Sequence, residues 1–124
     1  MRILIADDDA LNLTVARTIL NAQGFEVKEV KNGLEAYEAF LNESFHAVLM
    51  DIEMPVLDGL KAIQRIREYE RQHGGHVPVI AFTTHTRKDD RLEYFRHGID
   101  DYLSKPFKPF ELSAVLQKVL SLNK

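Results

Sequence analysis

Ile3-Leu4-Ile5-Ala6-Asp7-Asp8-Asp9 is the stretch from which the fold can be read. Four apolar residues without polar alternation predict a short strand buried on both faces, and three carboxylates stand at its carboxyl end. Apolar runs of the same kind recur at Val27 to Val30, Ala47-Val48-Leu49-Met50, Val79-Ile80-Ala81-Phe82 and, more weakly, Tyr102-Leu103. Longer segments of helical spacing lie between and after them: Leu11, Val15 and Ile19; Leu34, Ala36, Ala39 and Phe40; Leu60, Ile63 and Ile66; Leu92 and Phe95; Leu112, Val115, Leu116 and Val119. Each spacing predicts one apolar helix face. Strands that alternate with helices need crossover connections, so the expected class is α/β: a five-stranded parallel sheet with helices on both faces, in the order strand-helix five times.

Punctuation fits these elements. Gly24 follows the first helix, Asn32-Gly33 opens the second, Gly98 stops the fourth, and Pro109 suits the first turn of the last. His73-Gly74-Gly75-His76 reads as a mobile turn before the fourth strand. With 124 residues the chain is expected to form one domain, residues 1–124, with no segment left for an output domain. A net charge of −3 gives no basic footprint for nucleic acid or an anionic membrane. The absence of cysteine excludes disulfides and thiol chemistry. Only five residues separate Met1 from Asp7, too few for a signal peptide or membrane helix, so a cytoplasmic location is expected.

In an open parallel sheet, ligands bind where strands end. Asp7, Asp8 and Asp9 follow the first strand, Asp51 the third, Thr83 and Thr84 the fourth, Ser104 and Lys105 the fifth. Taken singly these residues are bland: an Asp run usually caps a helix, a Thr-Thr pair makes a turn, and Lys-Pro breaks a loop. Their convergence on one edge is what predicts chemistry. Asp7, Asp8 and Asp51 in one crevice would repel unless a cation joined them, and Mg²⁺ suits oxygen ligands while leaving positions for phosphate oxygens. Lys105 and Thr83 could hold the equatorial oxygens of a phosphoryl group, with one carboxylate as nucleophile.

Ile-Ala-Asp7-Asp8-Asp9-Ala-Leu-Asn12, Leu-Met-Asp51-Ile-Glu53-Met54-Pro55-Val-Leu-Asp58-Gly59, Ala-Phe-Thr83-Thr84 and Asp101-Tyr102-Leu-Ser-Lys105-Pro106 resemble the receiver domains of two-component response regulators, especially those of hybrid histidine kinases. The likeness spans nearly the whole chain and implies a flavodoxin-like (βα)5 fold. It implies that Asp51 accepts the phosphoryl group, that Asp8 binds Mg²⁺ directly and Asp7 through water, and that the Glu53 backbone carbonyl completes the protein's share. It further implies that Thr83 swings toward the phosphoryl group, that Lys105 pairs with it, that Tyr102 moves inward with Thr83, and that Pro106 follows a cis bond. The implied partners are a histidine kinase or histidine phosphotransfer protein, met by the first helix, and a downstream output protein or domain, met by the fourth helix, fifth strand and last helix. Neither direct nucleic-acid binding nor membrane binding is expected, and the domain is expected to assist its own phosphorylation and dephosphorylation rather than act as a turnover enzyme.

Other functions fit less of the pattern. A Mg²⁺-dependent aspartyl-phosphate phosphatase would use Glu53, two positions after Asp51, as general acid/base. A flavin mononucleotide binder would meet repulsion from Asp7-Asp8-Asp9, and a non-phosphorylated interaction module would have no use for the acid, Thr and Lys set. His73 and His76 lack the companion ligands of a metal site, and His85 reads as a solvated loop residue. Thr84 departs from the resemblance, since receivers usually carry Ala or Gly there, and its bulk would hinder the water that hydrolyses an aspartyl phosphate. Thr84→Ala is therefore expected to shorten the lifetime of the phosphorylated protein, measured as the decay of the phosphorylated mass after removal of donor.

Overall fold

The computed structural model describes residues 1–52, 54, 56–83, 88–105 and 107–122, with the side chains of 88–91 and 122 excepted. Five strands, β1 (Arg2–Ala6), β2 (Glu26–Val30), β3 (Ala47–Asp51), β4 (Val79–Thr83) and β5 (Asp101–Ser104), alternate with α1 (Ala10–Ala22), α2 (Gly33–Asn42), α3 (Gly59–His73), α4 (Lys88–Arg96) and α5 (Pro109–Leu122). All pairings are parallel, in the order β2-β1-β3-β4-β5. The expected α/β architecture is what the chain adopts.

Alternating residues of each strand feed two cores, as the two-residue period requires. Leu4, Ala6, Val48 and Met50 pack with Ala36, Ile63, Ile66 and Tyr94, which puts α2, α3 and α4 on one face. Ile3, Ile5, Leu49, Ile80 and Phe82 pack with Leu13, Ala16, Leu20, Leu112 and Leu116, which puts α1 and α5 on the other.

Two helix faces differ from the expected ones. The buried residues of α1 are Leu13, Ala16 and Leu20, whereas Leu11 and Val15 are exposed by 70% and 41%. In α4, Leu92 and Phe95 face outward and Tyr94 is buried. An exposed apolar stripe has the same helical period as a core stripe, so periodicity alone does not say which of two stripes meets the sheet. Leu34 in α2 is likewise at the surface, leaving Ala36 and Ala39 to face the core.

The His73-Gly74-Gly75-His76 turn is tied down rather than loose. Gly74 and Gly75 adopt positive φ, His73 stacks on Tyr69, and His76 Nε2 lies 2.7 Å from Asp100 Oδ1. Asp100 also accepts from Arg67 at 2.9 Å, and Arg67 donates to Glu70 at 2.6 Å and to the carbonyls of Gly98 and Val77. That partly buried network joins α3 to the start of β4 and to the turn before β5. It also uses His76 in a way unrelated to metal binding.

The helix starts set the position of the catalytic-looking edge. Asp9 caps α1 by accepting from the Leu11 and Asn12 amides, Asn32 caps α2 and Asp58 caps α3. Gly59 is required by close approach: a Cβ there would stand 2.1 Å from the backbone oxygen of Asp51 and 2.9 Å from Ile52 Cα. Its own amide donates to Ile52 O at 3.0 Å. The start of α3 thus rests directly against the end of β3. Gly59→Ala is expected to lower stability by about 1–3 kcal/mol, the usual cost of overpacking, measured as a lower urea midpoint with an unchanged slope.

Candidate functional site at the carboxyl edge of the sheet

Four strand ends bring the polar residues together. Asp7 leaves β1 with its amide donating to Val30 O at 3.1 Å, and its Oδ1 accepts from the Asp9 amide at 2.9 Å. Asp51 is the last residue of β3 and Thr83 the last of β4. Lys105 follows β5, its amide donating to Thr83 O at 2.9 Å. These backbone bonds fix where each side chain begins, so the cleft belongs to the sheet and not to a loose loop. Asp7, Asp8, Asp9, Asn12, Asp51, Thr83 and Lys105 line it.

Burial separates the members of the Asp triplet. Asp7 is fully buried, Asp8 is exposed, and Asp9 is the α1 cap. Within the triplet Asp9 takes the capping position, while Asp7 and Asp8 stand beside Asp51 in the cleft. Carboxylate oxygens of Asp7, Asp8 and Asp51 lie within 4.8 Å of one another. The Lys105 ammonium stands 3.0 Å from Asp7 Oδ2 and 3.3 Å from Asp51 Oδ2. Burial alone would push its pKa down, but the close ionic contact with Asp7 and the charges of Asp51 and Asp7 outweigh that and hold it above the ordinary lysine value. Lys105 is therefore an ammonium at neutral pH. A raised folded value means that its contribution to stability is present below the unfolded lysine pKa of about 10.4 and is lost as pH rises through the folded value.

The residues fit a hard divalent cation. Three carboxylates against one ammonium leave excess negative charge in one cleft. Asp7 Oδ2 is buried without a hydrogen-bond partner among the described residues, with the Lys105 ammonium 3.0 Å away as its ionic neighbour. A buried carboxylate oxygen left in that condition is costly, and an oxygen-seeking cation satisfies it. A larger groove at the opposite edge of the sheet, between Phe40, Phe45, Tyr69 and Val77, contains none of these acids.

Of the residues singled out from sequence, Asp7, Asp8, Asp51, Thr83 and Lys105 meet in this cleft. Tyr102, half-buried on β5, meets Phe95 of α4 edge-on, with ring centroids 6.3 Å apart. Glu53, Thr84, His85 and Pro106 lie outside the described residues. Two residues went without a role in the sequence. Asn12 lines the cleft from the first turn of α1, a position that its spacing three residues after the Asp9 cap would have signalled. Tyr94 of α4 brings its hydroxyl 3.4 Å from Thr83 Oγ1, a contact between elements that no local pattern announces.

Comparison with known proteins agrees with this geometry. The chain is 39% identical over 120 residues to hybrid signal transduction histidine kinase I of Dictyostelium discoideum, covering 93% of this chain but only 7% of that protein's length. The receiver domain of sensor histidine kinase PA1611 from Pseudomonas aeruginosa, solved with a magnesium ion coordinated in its active site cleft, superposes with a TM-score of 0.87 at 37% identity, covering 97% of both chains. The receiver domain of Ssk1 from Saccharomyces cerevisiae, solved with the histidine phosphotransfer protein Ypd1, superposes with a TM-score of 0.88 at 28% identity, covering 99% of this chain and 88% of that one. No helix among the described residues is long and apolar enough to cross a membrane. A family model of the response regulator receiver domain matches residues 3–117, and with the strand-edge acids, threonine and lysine in place, the chain belongs to that family and is a receiver domain of two-component and phosphorelay signalling.

Proposed function

We propose that Asp51 of this receiver takes a phosphoryl group from a phosphohistidine on a histidine kinase or phosphotransfer protein, in a Mg²⁺-dependent reaction assisted by Lys105 and Thr83. The observation that carries this is the Lys105 ammonium standing 3.0 and 3.3 Å from the carboxylates of Asp7 and Asp51 in a cleft with excess negative charge. The magnesium ion in the related PA1611 receiver and the phosphotransfer partner of the related Ssk1 receiver support the choice of cofactor and donor.

In the transfer, an Asp51 carboxylate oxygen forms a bond to phosphorus as the phosphorus–nitrogen bond to the donor imidazole breaks, and the bonding pair leaves with the nitrogen. The phosphoryl oxygens carry the charge that must be held while bonding is loose. Lys105 offers a compact positive charge to one of them, and the Thr83 hydroxyl donates to another. Asp7, Asp8 and Asp51, with the backbone carbonyl of Glu53, would hold Mg²⁺, which when bound supplies further positive charge to the carboxylates and phosphoryl oxygens. Most of the rate gain on the receiver's side then comes from placement and charge. The product is one aspartyl phosphate per chain, so residues 1–124 act as a self-assisting phosphoacceptor domain in the cytoplasm and not as a turnover enzyme.

Leu11 and Val15 suit the donor-docking role of α1, being large apolar residues at the surface beside the cleft. Leu92 and Phe95, next to Tyr102, suit the output role of α4 and β5.

Incubation with acetyl phosphate and Mg²⁺ is expected to add one phosphoryl group, seen in the intact mass, and Asp51→Asn is expected to add none. Uptake by the Asn variant, or uptake unaffected by chelation of Mg²⁺, would refute the assignment of the site. Lys105→Met is expected to change two properties in opposite directions. Removing the ammonium should tighten Mg²⁺ binding severalfold in calorimetry while reducing phosphoryl uptake by about 10- to 100-fold, a loss of about 1.4–2.8 kcal/mol of transition-state stabilisation.

A further inference from the structure

We propose that Tyr94 is a positioning residue for Thr83: its hydroxyl holds the threonine in the unphosphorylated state, and losing that partner on phosphorylation displaces α4. This rests on the preceding proposal that Thr83 bonds to a phosphoryl group on Asp51.

Tyr94 is only 6% exposed and Thr83 only 2%, so the contact between them is inside the protein. Their oxygens are 3.4 Å apart, and either can be the donor. Hydroxyl pairs usually meet at about 2.7–2.8 Å, so this bond is long and weak. It is also the chemical rival of the bond expected in the phosphorylated state. Thr83 ends β4 one residue beyond Phe82, the strand partner of Asp51, and it lines the cleft with Asp51 while its hydroxyl meets Tyr94 of α4. A phosphoryl oxygen is charged, and a charge-assisted bond is roughly twice as strong as a neutral one. The phosphoryl group therefore wins the threonine.

The consequence falls on the helix. With Thr83 turned to the phosphoryl group, the Tyr94 hydroxyl loses a partner inside an apolar cluster that includes Val79, Ala81 and Ile99. A buried hydroxyl deprived of its bond is destabilising, and α4 relieves it by carrying the oxygen toward water or toward another polar group. Tyr94 lies between Leu92 and Phe95, which are 51% and 44% exposed on the outer side of α4. One helical turn thus joins the inward hydroxyl to the outward apolar face, and any rotation or shift of the first moves the second. Phe95 carries the movement to β5 through its edge-on contact with Tyr102. The tyrosine on β5 is then not the sole aromatic coupled to the threonine in this chain: a second one acts from α4, through a hydroxyl and not through packing.

Beryllofluoride in the presence of Mg²⁺, which mimics a phosphoryl group on a carboxylate, separates this from the function it rests on. Tyr94→Phe removes the hydroxyl and keeps the ring. If the bond holds Thr83 back, the variant should bind beryllofluoride about twofold more tightly than wild type, the ratio expected from one hydrogen bond at the weak end of the usual range. The gain should vanish in a Thr83→Val background, where there is no hydroxyl to hold. Equal affinity of wild type and Tyr94→Phe, or a gain that persists with Thr83→Val, would overturn the proposal while leaving Asp51 as acceptor intact. A wild type that binds no beryllofluoride would overturn both. A measurement that needs no variant is the Tyr94 ring resonance of the wild type, which should shift on addition of beryllofluoride with Mg²⁺; a ring that does not respond would also overturn the proposal.

Discussion

The structure at the carboxyl edge depends on one charge balance. Asp7 and Asp51 end or follow adjacent strands of a parallel sheet, and that topology brings their carboxylates together whether or not they attract. Lys105 answers part of the repulsion from the end of β5, two strands away from β3. Its position is set by the backbone bond from its amide to Thr83 O, so the ammonium is delivered by the sheet itself. Because the lysine neutralises the cleft only in part, the arrangement that the fold must tolerate is one whose remaining charge a divalent cation held by the carboxylates would offset. The electrostatic cost of the fold and the chemistry of the site have one origin.

Backbone proximity supports that balance. Gly59 lets α3 begin against the carbonyl of Asp51, and Gly33 does the same for α2 against Leu57, whose oxygen accepts the Gly33 amide at 2.9 Å. Ile52 and Leu57, in the segment between β3 and α3, are thereby held against two helix starts. Val56, within it, has φ of 68°, a left-handed conformation that a β-branched side chain adopts only at a cost. Strain of this kind persists where neighbouring contacts over-determine the backbone. Here the neighbour is Leu57, the residue after Val56, whose carbonyl is held by the Gly33 amide.

The sheet and the cleft were legible in the sequence because both are local signals. Apolar runs such as Ala47-Val48-Leu49-Met50 are bounded by polar residues, and the acids, threonine and lysine follow directly at the strand ends. What was not legible is whatever depends on which of two similar surfaces turns inward. Leu11 and Val15 match a helical stripe as well as Leu13, Ala16 and Leu20 do, and only the sheet decides between them. The same ambiguity hid Tyr94 behind Leu92 and Phe95. His76 read as part of a mobile turn because its partner, Asp100, lies 24 residues away in sequence and is brought near by the Arg67 network. Roles within the Asp triplet were also beyond composition: burial, and not residue type, divides a buried site carboxylate at Asp7 from a cap at Asp9.

The helix faces that the sequence misplaced matter for how such a domain can act. A stripe that is apolar but not needed by the core is available to other molecules, and this chain has one on α1 beside the cleft and one on α4 beside β5. The first lies where a donor must approach if it is to reach Asp51 across the mouth formed by Asp8 and Asn12. The second lies on the helix whose buried side touches Thr83. If donor and output partners use these two stripes, Thr83 at the end of β4 lies between them, lining the cleft on one side and meeting Tyr94 of α4 on the other. Coupling between them requires no deformation of the sheet, whose central strands are buried on both faces and packed too tightly to yield. If phosphorylation draws Thr83 away from Tyr94 as proposed, α4 answers the new charge on Asp51, and a long, weak hydroxyl contact is what a switch between two states of similar free energy needs.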